Sequence, residues 1–355
     1  MKLTTTISYA TRTTKEIMSS KYKAVEVAEV GKLNLVERIV PEPGAGQVRI
    51  RVEACGICHS DAATVYGRLP GITFPRVPGH EVVGRIDALG AGVSDWKIGQ
   101  RVGVGFLGGH CGHCQSCRRG DFVNCSNQPI SGGHFDGGYA EVMLAFPNGL
   151  VSVPDGLTSV EAAPLLCAGL TTYNALRKSS ALPGDLVAVQ GIGGLGHLGV
   201  QYAAKMGFRV VAIARGAEKA ALAKKLGAHH YIDTNIDNAA AALQKLGGAK
   251  IIIATASDSK SMSGLIGGLR PRGKLIVLGA GTDPIPVSPL ELLFGSRSIE
   301  GALTGSSIDN EDTLAFSLLQ NIRAVIETFP LEKAPEAFAK MMKNEARYRI
   351  VLTMQ

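Results

Sequence analysis

Long apolar runs are missing from this chain. No stretch holds 18 or more apolar residues, so no membrane-crossing helix is expected. The first 17 residues, MKLTTTISYATRTTKEI, lack the apolar core of a signal peptide. They are Ser/Thr-rich, with Arg12 the only arginine and Glu16 acidic, a poor match to an organelle-targeting segment; a disordered extension over residues 1–20 is expected. Clustered basic residues are scarce as well. The net charge is +7, yet Lys and Arg are spread out, with short pairs such as Arg118–Arg119 and Lys224–Lys225, so no nucleic-acid partner is expected. The positive excess can still attract anionic small molecules. Repeats and low-complexity tracts are absent, and the single tryptophan, Trp96, is assigned to packing in a β-rich part.

The chain does have length and glycine. Its 355 residues suggest two domains, and its 44 glycines suggest many tight turns. From Tyr22 to about Pro164, short β-like runs are broken by Gly and Pro, as at 47–54 (QVRIRVEA), 82–89 (VVGRIDAL) and 138–144 (GYAEVML). After Cys167 the rhythm changes. The apolar runs 185–190, 209–214, 230–233, 251–255 and 274–279 alternate with helical segments, which predicts a parallel sheet covered on both faces. The tail from about Gly305 mixes helix signals with a last strand-like segment, YRIVLTM.

Four of the seven cysteines, Cys111, Cys114, Cys117 and Cys125, form one run spaced C-x2-C-x2-C-x7-C. Thiolates this close can fold around one tetrahedral cation. Four sulfurs at about 2.3 Å leave no place for water, so the site is structural. Zinc is expected; a four-cysteine iron–sulfur cluster is the alternative. Disulfides fit poorly, because adjacent C-x2-C pairs rarely reach the required geometry and nothing marks secretion. Reduced thiols and a metal site fit a cytoplasmic setting.

Gly191-Ile192-Gly193-Gly194-Leu195-Gly196 is a G-x-G-x-x-G that follows an apolar strand and opens a helix. In that context the glycines let the backbone approach a pyrophosphate, and the helix N-terminus supplies N–H donors. A dinucleotide cofactor, NAD(P), is expected. The next strand ends Ile213-Ala214-Arg215-Gly216, with Ala214 where an NAD-type site has a carboxylate for the ribose diol. Arg215 would welcome a 2′-phosphate, so NADP is favoured; stacking of Arg215 on the adenine of either cofactor is the alternative.

The segments CHSD, PGHEVVGRI, the cysteine quartet, DGGYAE, PLLCAGLTTY and GIGGLGHLG occur in one order. In this the chain resembles the zinc-dependent alcohol dehydrogenases of the medium-chain dehydrogenase/reductase superfamily, from about Lys21 onward. The resemblance implies an α/β fold: an irregular, mostly-β GroES-like catalytic domain (21–166 with 305–355) and a Rossmann doubly wound parallel-sheet domain (167–304). It implies a second, catalytic zinc on Cys58, His80 and Cys167, a set that leaves one coordination position open. Glu81 would be an outer carboxylate able to approach the metal, and Asp61 would orient His80. Ser60 would begin a proton relay, and His59 would face the cofactor phosphates. Many relatives have a histidine where this chain has Ala63, so only the start of the relay is assigned. Thr171 would contact the nicotinamide or be an ordinary helix hydroxyl. Cys55 has no role and reads as a small buried residue; His110, His113 and His134 read as loop residues, and His197 as a packing or phosphate-side residue. Leu69 and Leu107, where some relatives carry aromatics, suggest room for medium-chain or aromatic primary alcohols and their aldehydes. A homo-oligomer, tetramer or dimer, is implied. Polyol dehydrogenases are the enzymatic rival, though they usually lack a cysteine at the position of Cys167; a non-catalytic nucleotide-binding protein is the other.

Overall fold

The computed structural model describes residues 20–354; apart from Ser20, the extension expected over residues 1–20 lies outside them. The strands begin with a hairpin, β1 Lys21–Val27 and β2 Leu33–Ile39. β3 Val48–Ile57, β4 Glu81–Leu89, β5 Arg101–Val104, β6 Val142–Ala145 and β7 Leu150–Ser152 follow. Next come β8 Leu186–Gln190, β9 Arg209–Ala214, β10 His230–Asp233, β11 Ala249–Ala254, β12 Leu269–Val277 and β13 Ser298–Gly301. β14 Ile326–Pro330 and β15 Arg349–Thr353 are the last two.

One sheet has the order β14-β15-β3-β4-β5-β7, with β6 also paired to β3. Only β14 and β15 pair parallel in it, so strands from far down the chain are built into the sheet begun near residue 48. The other sheet runs β10-β9-β8-β11-β12-β13, all parallel. That is the doubly wound order, in which ligands bind beyond the carboxyl ends of the strands.

The parallel strands read as continuous apolar runs because both faces are covered. Val187, Val189, Ile251 and Ile253 share a core with Tyr173 and Leu176 of the helix Ala168–Arg177 and Leu198 and Tyr202 of the helix Gly196–Lys205. The alternate residues, Leu186, Ala188 and Ile252, pack on the opposite face with Leu243, Met262 and Leu265. The first of these layers also holds Ala54, Val83 and Val351 of the other sheet, joined through Ala162, Leu165 and Leu166. The two sheets therefore share one apolar layer.

The run 138–144 was expected to be a strand throughout, but only Val142–Ala145 is one. Gly138 and Tyr139 instead donate their N–H groups to the carbonyls of Gly79 and Pro78, at 3.1 and 3.0 Å. The approach needs glycine: a Cβ on Gly137 would lie 2.1 Å from the Gly79 carbonyl oxygen. The segment thus lies against Pro78 and Gly79 next to His80, and at Ala140 it bridges to Ala24 of β1.

Candidate functional site

β3 ends at Ile57 and hands the chain to Cys58, while β4 begins at Glu81 just beyond His80. The two strands are antiparallel with Gly56 opposite Glu81, so Cys58 and His80 emerge at the same end of the pair. Cys167 sits between the short turn Ala163–Leu166 and the helix Ala168–Arg177. The donor atoms of Cys58, His80, Glu81 and Cys167 all lie within 4.8 Å of one another. The two sulfurs are 3.8 Å apart.

Asp61 organises this cluster. Its Oδ1 lies 2.8 Å from His80 Nδ1, and its Oδ2 accepts from the Tyr139 hydroxyl at 2.9 Å and the Cys58 N–H at 2.9 Å. With Nδ1 donating to a carboxylate, Nε2 is the lone-pair nitrogen. His80 Nε2 is buried and has no hydrogen-bond partner among the described residues. The hydrogen bond from Cys167, working against burial and helped by His80, holds Cys58 well below the usual thiol range; the same bond and burial push Cys167 well above it. Two thiol groups and the unpartnered imidazole nitrogen thus share one buried point, a donor set that could hold a cation.

Glu81 stands behind them. Its Oε1 accepts from Arg349 Nη2, and its Oε2 is buried without a partner. Burial pushes its carboxyl up to about 7, while the Arg349 guanidinium pulls the other way. A Cβ on Gly56 would lie 1.9 Å from Glu81 Oε2, so glycine there makes room for the carboxylate. His59 and Ser60 are exposed next to buried Cys58, and Ser60 caps the helix Asp61–Val65 without using its hydroxyl.

The quartet is built differently. Its four sulfurs also lie within 4.8 Å of one another. All seven cysteines are free, and Cys111 Sγ is 4.0 Å from Cys117 Sγ, about twice a disulfide bond. The sulfurs accept main-chain N–H groups: Cys114 N–H to Cys111 at 3.4 Å, Cys117 N–H to Cys114 at 3.5 Å, and Cys111 N–H to Cys125 at 3.4 Å. The N–H bonds from Cys117 and Ser126 pull Cys114 down to about 5. His113 is exposed and turned to the Cys111 carbonyl; His110 stacks on Phe122 with ring centres 4.1 Å apart.

The glycine turn divides its labour. Gly191 has φ +86. A Cβ on Gly193 would meet nothing within 4 Å, so its backbone is open to a ligand. A Cβ on Gly196 would lie 1.7 Å from the Gly191 carbonyl oxygen, which forces the helix close to the strand. Gly194 lies against Arg349, with its Cβ position 3.0 Å from Nη1, and half-buried Leu195 packs on the core at the start of the helix Gly196–Lys205. Ala214 is buried at the end of β9, and Arg215 beyond it is exposed. Thr171 is buried one turn after Cys167, and its hydroxyl donates to the Leu303 carbonyl at 3.4 Å.

Three residues of these sites, Tyr139, Arg349 and Thr255, escaped the sequence reading, whereas His197 was read there as a packing or phosphate-side residue. Tyr139 holds Asp61, and Arg349 links Glu81 to the glycine turn. Thr255 donates to the Gln190 and Gly191 carbonyls at 2.9 and 2.8 Å. His197, fully buried, donates from Nδ1 to the Gly193 carbonyl at 2.9 Å and accepts the Val325 N–H on Nε2 at 3.1 Å. The motif DGGYAE was a signal for Tyr139, and GIGGLGHLG contained His197; nothing local marks Arg349 or Thr255. Phe106 stands edge-on to His80 with ring centres 5.1 Å apart; elsewhere Leu107 bridges to Ile130 and Leu69 packs on Gly133.

Residues 44–155 match the alcohol dehydrogenase GroES-like domain, and residues 194–321 match the zinc-binding dehydrogenase domain. An alcohol dehydrogenase, patD, of Penicillium expansum is 45% identical over 338 residues, covering 94% of this chain and 98% of its own. Acetophenone reductase from Geotrichum candidum, solved with NAD, is 28% identical with a TM-score of 0.83, covering 94% of this chain and 98% of its own. The CAD from Helicobacter pylori, solved with NADP(H), is 27% identical with a TM-score of 0.83, covering 94% and 98%.

Proposed function

The chain belongs to the zinc-dependent alcohol dehydrogenases of the medium-chain dehydrogenase/reductase superfamily, and on that premise we propose reversible hydride transfer between a primary alcohol and NAD(P). The substrate is a medium-chain or aromatic alcohol, or its aldehyde, and NADP is the favoured cofactor. The observation that carries this reading is the meeting of Cys58, His80 and Cys167 at one buried point.

These residues fit a zinc ion. Two sulfurs and the unpartnered His80 Nε2 converge, and the set leaves a position free for an oxygen ligand. The quartet fits a second, closed zinc. A bound zinc supplies Lewis acidity at the open position, and the nicotinamide supplies the hydride acceptor. The protein does the rest. Asp61 fixes the ring of His80, helped by Tyr139. Ser60, exposed beside Cys58, takes the alcohol proton outward and begins the relay; with Ala63 in place of a histidine, the onward route is cofactor ribose, water or another group. Arg349 holds Glu81 back from the ligand point, leaving Oε2 free to approach it. Gly191, Gly193, Gly194, Leu195 and Gly196 receive the pyrophosphate with His59, Thr171 lies on the nicotinamide side, and Ala214 and Arg215 meet the adenosine ribose.

Phe106, edge-on to His80, and the apolar residues Leu69 and Leu107 support an apolar substrate. The sheet topology supports a division into 21–166 with 305–355 and 167–304. Free thiols support a reducing, cytoplasmic compartment. A homo-oligomer is supported by the open edge of β13, near which Leu293, Phe294 and Leu303 are exposed, a place for a second copy to pair. Metal analysis with a panel of alcohols and aldehydes and both cofactors tests the reading. Two zincs per chain with alcohol-dependent NAD(P) reduction support it; one zinc and no turnover reject it.

A further inference from the structure

β9 ends at Ala214, without the carboxylate that usually receives a ribose diol, and the following turn brings one back to the same place. Gly216 has φ +83, donates its N–H to Asp233 Oδ1 at 2.8 Å and accepts the Tyr231 hydroxyl on its carbonyl at 2.5 Å. These bonds fix the turn. A Cβ on Gly216 would lie 2.0 Å from Glu218 Oε2 and 2.7 Å from Oε1. The Glu218 carboxylate is therefore folded back over the glycine rather than extended into solvent. No Lys or Arg forms an ion pair with it among the described residues, although Glu218 itself is exposed.

Two tyrosines from other segments lie close enough for the charge of this carboxylate to act on them. Tyr231 belongs to β10, and Tyr348 precedes β15 in a left-handed conformation, φ 70, that bulky residues rarely adopt. Burial raises both phenols, Asp233 and then Glu218 add to this at Tyr231, and Glu218 adds to it at Tyr348. The Tyr348 ring also packs on His197 of the glycine turn, with centres 5.0 Å apart. Glu218 thus stands on a wall that runs from the phosphate turn to the end of β9, the course the adenosine half of a dinucleotide takes in this sheet order.

We propose that Glu218 is a specificity-determining residue of the cofactor site: its carboxylate accepts the ribose 2′-hydroxyl of NAD(H), opposing Arg215, which meets the 2′-phosphate of NADP(H). This rests on the nicotinamide reading above and deepens it. Ala214 gives up the acid at the strand end, and Glu218 restores it from the next turn. A carboxylate accepts from a hydroxyl and repels a phosphate, so it narrows the NADP preference that Arg215 creates. The long side chain can swing out to admit the phosphate, which a rigid acid at position 214 could not do. The site is accordingly built for both cofactors.

Fluorescence titration of the zinc-loaded enzyme with NADH and with NADPH gives both Kd values, and steady-state KM values provide a second readout. Glu218→Gln weakens NADH roughly threefold to tenfold, as for loss of a charged acceptor, and leaves NADPH equal or tighter. Glu218→Asp, one methylene short, falls between. Arg215→Ala shifts the ratio of the two Kd values the opposite way. Equal changes for both cofactors in Glu218→Gln, or none for NADH, would overturn the role of Glu218 and leave the nicotinamide reading intact. Binding of neither cofactor by the unaltered enzyme would overturn that reading, and this inference with it.

Discussion

In the 111–125 loop each sulfur that accepts an N–H takes it from main chain within a few residues in space and 14 or fewer in sequence. Around Cys58 and Cys167, which are 109 residues apart, the supports are side chains: Asp61 beside Cys58 and Glu81 beside His80, each held by a side chain from far along the chain, Tyr139 and Arg349. The first arrangement is self-sufficient. It can close on a metal with local chain alone and needs no further group. The second is held from behind by a carboxylate and a buried ion pair, while Ser60 and His59 lie exposed in front. Metal chemistry gives these arrangements different work. Four sulfurs exclude a reacting oxygen, whereas two sulfurs and one imidazole admit it. A site that reacts must leave a gap, and the gap must be supported by residues that do not touch the metal.

The largest effect that separates the two sites is on turnover. Cys58→Ser lowers kcat on the order of a thousandfold or more, because the Lewis acid worth several kcal/mol is lost or misplaced. Its melting temperature should stay within about 2 °C of the unaltered protein, a change of about 1 kcal/mol. Cys111→Ser gives the reverse pattern: a clear fall in melting temperature or loss of assembly, with turnover per folded molecule largely kept. If Cys111→Ser lost turnover without loss of stability, the division of roles would be broken.

Ser60→Ala sharpens the comparison, since the quartet has no counterpart to this residue. Turnover should drop by about a hundredfold with zinc content unchanged, the size expected for a positioned proton acceptor. Unchanged turnover removes Ser60 from the relay. Asp61→Asn reaches the open site from behind. Zinc affinity there should weaken by about tenfold to a hundredfold in competition with a chelator, while the quartet keeps its metal. Equal weakening at both sites would contradict the independence of their supports.

Acid also reaches the cofactor turn, and that contribution must be separated before acid loss of zinc is compared between sites. Burial, against the Gly193 hydrogen bond, lowers His197 to about 4. The unfolded chain, with histidine near the ordinary ~6.5, binds the proton first as pH falls. The stabilisation is therefore complete above about pH 6.5 and is lost progressively towards pH 4, on the order of 3 kcal/mol in all. His197→Gln should flatten the slope of melting temperature against pH over that window. An identical slope in both proteins would show that the histidine is not the group responsible.

Much of this was legible in the chain itself. The parallel sheet was readable because β8, β9 and β11 are apolar runs without alternation, each ended by a turn. The quartet and the glycine turn were readable because their spacing is local. Cys58, His80 and Cys167 were reached through resemblance, since no spacing rule joins residues 109 apart. Arg349 stayed hidden for the same reason: its partner Glu81 is 268 positions away, and the contact exists only once β15 lies beside β3. His197 lay inside a recognised motif, but its second partner, Val325, is 128 positions on. The run 138–144 misled because alternation was read as strand where paired glycines serve close packing.

Zinc counted per chain in purified Cys58→Ser, with its turnover and melting curve, tests the central claim most directly. One zinc, a folded protein and no alcohol-dependent NAD(P) reduction are predicted. Two zincs with turnover retained would contradict it.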